Sequence, residues 1–131
     1  MIQLKSVREI DRMAEGGAIL AAARDLLEQS VRPGISTIEL DRIAEDFIRS
    51  KPGAKPSFKG LYGFPGSICT SINNEIVHGI PSPDRRLAEG DNISIDCGAI
   101  LQGWHSDSAV TVTVGEPSAE DTALLEVTER S

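Results

Sequence analysis

Two aspartates carry the clearest chemistry in the chain. Asp96 and Asp107 lie eleven residues apart, in the runs Asn92-Ile93-Ser94-Ile95-Asp96-Cys97-Gly98-Ala99 and Trp104-His105-Ser106-Asp107-Ser108-Ala109-Val110-Thr111-Val112. Both runs alternate apolar with small or polar residues and are rich in β-branched types, so both read as strands. Gln102-Gly103 between them suits a hairpin turn. A two-residue loop at Leu101-Gln102 would put Asp96 directly opposite Asp107. A loop at Gln102-Gly103 would make them diagonal neighbours on one face, and a three-residue loop would send them to opposite faces. Two like charges on one face of a ladder cost stability. A partly buried carboxylate must be paired, protonated or metal-bound, and neither strand offers a Lys or Arg. A hard divalent cation with oxygen ligands would remove the conflict. The plainer alternative has one aspartate facing water and the other capping a turn.

Other side chains could join such a site. His78 sits between a short apolar run and Gly79-Ile80-Pro81, where an imidazole is well placed to touch a ligand. Cys69 reads as a small soft pocket residue or a buried hydrophobe. Cys97 alternates away from Asp96 and belongs to the core. His105 reads as a surface residue, expected on the face opposite Asp107. Residues 54–67 form a glycine-rich loop that holds three of the five aromatic residues, Phe58, Tyr62 and Phe64, and aromatic loops often line binding sites.

The elements that position these residues begin with a helix over about 6–30. Ser6 and Glu9 have capping-box spacing, and Ile10, Met13, Ala14, Leu20, Ala21 and Leu27 are expected as its apolar stripe. Gly16-Gly17 interrupts it, as a close backbone approach would require. Arg32-Pro33-Gly34 breaks the chain. Ser36 and Glu39 then open a second helix to about residue 50, with Leu40, Ile43, Ala44, Phe47 and Ile48 apolar. Ile68–Asn73 and Glu75–His78 read as two short strands about Asn73-Asn74. A last helix opens near Ser118 and runs through Leu124, Leu125 and Val127; the chain ending inside it reads as a truncation.

Composition limits the function classes. The chain has 131 residues, is 40% hydrophobic and 25% charged, and fits one soluble domain. With only 4% aromatic residues, its core must be mainly aliphatic. A net charge of −7 argues against direct nucleic-acid or anionic-membrane binding. No apolar run approaches a membrane span, and the first residues lack the apolar stretch of a signal peptide. Two cysteines without a Cys-x-x-Cys pattern fit free thiols in a cytoplasmic protein.

Several motifs occur in order: Tyr62-Gly63-Phe64-Pro65, Ser67-Ile68-Cys69-Thr70-Ser71-Ile72-Asn73, His78-Gly79-Ile80-Pro81, Ile95-Asp96-Cys97-Gly98-Ala99 and Gly103-Trp104-His105-Ser106-Asp107-Ser108-Ala109. This set strongly resembles the N-terminal half of a bacterial type I methionine aminopeptidase, along essentially the whole chain. The resemblance implies an α+β pita-bread fold, whose two pseudo-symmetric halves surround two divalent metal ions such as Co, Mn, Fe or Zn. Residues 1–131 would be the first half of that one catalytic domain. Asp96 and Asp107 match two of the family's metal ligands. His78 matches its substrate-contacting histidine, and Phe64 and Cys69 match positions lining the methionine pocket. The implied reaction removes N-terminal methionine from nascent proteins, with small residues preferred in second place. Two departures stand out. Leu61-Tyr62 replaces the family's frequent Tyr-His pair before the Gly-Phe-Pro step. The family's Gly-His-Gly motif and its second-half histidine and glutamates are absent, and Glu126 and Glu129 do not match them. The expectation is a chain inactive alone that pairs with a complementary C-terminal half; the alternative is a non-catalytic fragment that only associates with such a half or with itself.

Overall fold

Two capping boxes open the helical layer. In the computed structural model, which describes residues 2–131, α1 (Val7–Ser30) is capped by Ser6 with Glu9, and α2 (Thr37–Arg49) by Ser36 with Glu39. In each box the serine side chain accepts from the glutamate N–H while the glutamate carboxylate accepts from the serine N–H. The antiparallel sheet comprises β1 (Ala54–Pro56), β2 (Ile68–Ile72), β3 (Asn92–Leu101) and β4 (Trp104–Thr113). A third helix, α3 (Ala119–Arg130), is capped by Ser118 and has no buried residues.

β3 is the central strand. β4 pairs along its whole length, so β1 and β2 share its other edge end to end, Pro56 opposite Ala99 and Ile68 opposite Cys97. Gly98 falls in the gap between them, and its carbonyl accepts from the Ser57 N–H at 2.9 Å. Alternation along β3 sends Ile93, Ile95, Cys97 and Ala99 to the helix side, where they are buried against Leu20, Ala23 and Leu27 of α1 and Leu40, Ala44 and Ile48 of α2. The opposite face carries the aspartates. Aliphatic packing of this kind stabilises by about 25 cal/mol per Å² of apolar surface removed from water.

Two expectations need correction. The buried stripe of α1 is Gly16, Leu20, Ala23 and Leu27, while Ile10, Met13, Ala14 and Ala21 are exposed. Buried contact begins only at Gly16, where a Cβ would lie 2.8 Å from the Ser106 Oγ of β4; Gly17 faces open space. The second correction is that Glu75–His78 forms no strand. Asn73 takes a left-handed φ of 54°, Glu75 accepts from the Ile72 N–H at 2.9 Å and pairs with Arg85 at 2.7 Å, and the chain turns back on itself. Ile76 and Val77 are left exposed. Ladder-like bonds flank this segment, from the Asn73 N–H to the Asn92 carbonyl before it and where Gly79 grips β2 after it.

Candidate metal centre and cleft

The hairpin turn decides how the aspartates meet. Gln102 and Gly103 have φ of 51° and 87°, and Leu101 pairs with Trp104 across them, the two-residue loop that matches the twist of paired strands. Asp96 then faces Ala109, and Asp107 faces Gly98. The two carboxylates are diagonal neighbours on the face away from the helices. Asp96 is half-buried and Asp107 exposed. On the other side of β3, Cys69 is the direct partner of Asp96, so a thiol and a carboxylate stand side by side.

His105 does not lie opposite Asp107 as expected. Residues two apart in a strand share a face, and the ladder places His105 across from Ile100 just as it places Asp107 across from Gly98. His105 therefore looks the same way as the aspartates, but it is exposed and outside the cleft they line.

The electrostatics of the pair are strained. The Asp96 carboxyl is pushed up to about 6, first by burial and then by the Asp107 charge and a hydrogen bond between the two groups; His78 pulls it down. Asp96 Oδ1 is buried and has no hydrogen-bond partner. A buried oxygen with unspent charge is what a hard cation would satisfy, so these two residues fit a divalent ion. Among the described residues, no three His, Cys, Asp or Glu side chains converge into a metal-holding group, so the donor set here is a pair of carboxylates.

These residues stand in a cleft of about 520 Å³ whose other walls are apolar. Phe58 and Phe64 come from the loop between β1 and β2, Cys69 from β2, and His78 and Ile80 from the segment after it. Cys69 is buried, and burial followed by the charges of Asp96, Asp107 and Asp41 pushes its thiol up to about 11. It is a neutral, apolar wall at pH 7. Cys97 is fully buried on the helix side, as its alternation indicated.

His78 is held by its neighbour. Gly79 O accepts from the Thr70 N–H at 2.8 Å, and Gly79 N–H donates to Ser71 Oγ at 3.1 Å. A Cβ on Gly79 would lie 2.0 Å from the Thr70 carbonyl oxygen, so only glycine allows this approach. The clasp presents His78, with a left-handed φ of 62°, at the cleft. Phe64 is half-buried in the wall, while Tyr62 is fully exposed at the rim with φ of 49°. Phe58 lines the cleft, as expected of the aromatic loop, and Ile80 joins it as a wall residue to which no role was assigned from sequence. A further signal for Phe58 was Gly98 within a strand: a Cβ there would lie 2.8 Å from the Phe58 ring, so the missing side chain makes room for it.

Residues 11–131 match the pattern of metallopeptidase family M24. The chain belongs to metallopeptidase family M24. Among M24 relatives it is 56% identical to methionine aminopeptidase 1 of Bacillus subtilis and 55% identical to the methionine aminopeptidase of Clostridium perfringens, covering all of this chain and 52% of each relative. The crystal structure of methionine aminopeptidase from Rickettsia prowazekii superposes with a TM-score of 0.95 at 35% identity, over 99% of this chain and 52% of that one. The chain thus spans about half the length of the M24 relatives it matches, and its helices and sheet form half of a pita-bread fold. Among the described residues, no helix is long and apolar enough to cross a membrane.

Proposed function

We propose that this chain is the N-terminal half of a cytoplasmic methionine aminopeptidase, a hydrolase that removes the N-terminal methionine from nascent polypeptides. The observation that carries this reading is the carboxylate pair Asp96 and Asp107, with an unpartnered buried oxygen, at one end of an apolar cleft that holds a thiol, two phenyl rings and an imidazole. The high identity to methionine aminopeptidases over the entire chain supports it.

Asp96 and Asp107 would hold two divalent ions, Co, Mn, Fe or Zn, sharing them with ligands from a complementary half. When bound, such ions supply Lewis-acid polarisation of a carbonyl and activation of water at neutral pH. The chain's own residues bind and orient the substrate. Phe58, Phe64 and Cys69 enclose the unbranched thioether of methionine, to which soft and aromatic surfaces are well matched. His78, fixed by the Gly79 clasp, donates from its ring N–H to the first peptide unit and steadies charge that develops there. The cleft walls exclude water from the methionine side chain and leave the backbone end facing the carboxylates.

Two carboxylates leave most of an ion's coordination to solvent, so the 131-residue chain alone is expected to be inactive. The second reading, a fragment that only associates, draws on two features: no strand among the described residues pairs with the outer edge of β4, and α3 buries nothing. The test is hydrolysis of a Met-Ala-Ser peptide with added Mn or Co, by the chain alone and after mixing with a separately expressed half that carries a Gly-His-Gly histidine and two glutamates. Activity only in the mixture supports the aminopeptidase reading. Stable association without activity supports the second, and turnover by the chain alone overturns the account of the metal site.

A further inference from the structure

Three polar side chains of α2 stand four residues apart, so they stack on one helical face. Each grips a different segment of the cleft. Thr37 Oγ1 accepts from the Ser82 N–H at 2.9 Å and donates to the Ser82 carbonyl at 3.2 Å, just past the turn that carries His78. Asp41 Oδ1 accepts from the Ser67 N–H at 2.6 Å and the Ile68 N–H at 3.0 Å, where the aromatic loop enters β2. Glu45 pairs with Lys59, beside Phe58 at the other end of the loop. Thr37 and Asp41 are 0% and 4% exposed, and none of the three lines the cleft itself.

Asp41 is the central member. Gly66 brings the aromatic loop against it: a Cβ there would lie 3.1 Å from Asp41 Oδ1 and 2.9 Å from Cδ of Pro81. Gly66 of the loop therefore sits against both the carboxylate and the Pro81 end of the His78 turn, so Asp41 fixes the loop at the point where it meets that turn. Two successive amides on one oxygen tie the end of the loop and the first residue of β2 to α2 at a single atom.

We propose that Asp41 is a positioning residue that sets the separation between the aromatic loop and the His78 turn, and through it the affinity of the cleft for an apolar N-terminal side chain. Thr37 and Glu45 secure the flanks. This rests on the aminopeptidase reading above.

The experiment compares Asp41→Ala, Asp41→Asn and Lys59→Met in this chain mixed with its complementary half. Asp41→Ala should raise KM for a Met-Ala-Ser peptide about 10-fold, with kcat within about 3-fold and metal content unchanged. Asp41→Asn keeps an oxygen acceptor for the two amides and should restore KM to within about 3-fold of the parent. Lys59→Met should raise KM about 3-fold. An unchanged KM in Asp41→Ala, a fall in kcat alone, or no rescue by Asn overturns the proposal. Should Asp41→Ala fail to fold, Lys59→Met decides, because its side chain is exposed and an unchanged KM there is equally fatal. A second measurement does not need activity. In the 131-residue chain, amide exchange at Ser67 and Ile68 should speed up at least about 10-fold in Asp41→Ala and recover in Asp41→Asn, with Ile95 unchanged. Uniform loss of protection across the sheet overturns positioning. If the parent mixture cleaves no methionine peptide, the aminopeptidase reading falls, and amide exchange alone decides whether Asp41 places the loop.

Discussion

At the scale of single residues, Asp96 combines a cost with a proposed metal-binding role. Its folded pKa of about 6 lies above the usual 3.8, so the protonated form favours folding. That contribution is complete below pH 3.8 and is lost as pH rises through about 6. Asp96→Asn in the metal-free chain should therefore raise the melting midpoint at pH 7.5 by roughly 4 °C, about what 1 kcal/mol does in a domain of this size, and leave it unchanged at pH 3.5. Thermal scans at the two pH values check this; equal shifts at both would show that charge is not the cause. Asp107 and His105 share a face, yet only Asp107 neighbours Asp96. Asp107→Asn should weaken Mn binding by roughly 10-fold or more, whereas His105→Ala should stay within about 3-fold; titration calorimetry separates them. The aspartate pair was legible because strand alternation and turn length are local rules. The same alternation places His105 beside Asp107 in facing, since an even spacing never changes sides. The burial of Asp41 was not legible, because it depends on amides twenty-six and twenty-seven residues away.

At the scale of elements, the cleft depends on close backbone contacts more than on side-chain packing. Gly79→Ala puts a methyl group 2.0 Å from the Thr70 carbonyl oxygen, so either β2 or the His78 turn must move. In the proposed assembly with a complementary half, peptide turnover should fall roughly 100-fold while metal content holds; hydrolysis assays beside elemental analysis test both halves of that statement. In the core, Leu27→Ala removes a fully buried side chain between α1 and the sheet and should cost about 2–5 kcal/mol in urea unfolding. Both helices were readable from their Ser-x-x-Glu caps, which need only four consecutive residues. Glu75–His78 misled because its apolar pair Ile76-Val77 looks like a strand, while the partners of the Glu75–Arg85 ion pair and of the bonds made by the next residue, Gly79, to Thr70 and Ser71 come from elsewhere in the chain. Phe58 over Gly98 was hidden for the same reason: a glycine in a strand signals a close approach without naming the visitor.

At the scale of the whole molecule, two sets of carboxyls pull stability in opposite directions with pH. Hydrogen bonds and ion pairs hold Glu39, Glu45, Glu75 and Asp121 below their usual values, Glu45 at about 2 chiefly through Lys59. Their contribution is present above the ordinary carboxylate range and is lost as pH falls toward about 2. Asp96 and Asp41, raised mainly by burial, act the other way. The metal-free chain should be most stable between about pH 4.5 and about 6, and added Mn should move that maximum upward by relieving the Asp96 charge. Denaturant midpoints across pH 3–8 at low protein concentration measure it, and a maximum above pH 7 without metal would contradict this balance. The gap in the sheet beside Gly98 has a consequence of another kind. Pro56 and Ile68 each keep their own pairing with β3, and inside them Ser57 bonds to Gly98, Lys59 to Glu45 and Ser67 to Asp41, so both ends of the loop are anchored to the sheet and to α2. Residues 60–65, whose backbone bonds are internal to the loop or to Phe58, are thus an exchangeable cassette: a tip of different length or composition could be grafted there to admit a different side chain, with the anchors at Ser57, Lys59 and Ser67 and the register that aligns the aspartates left intact.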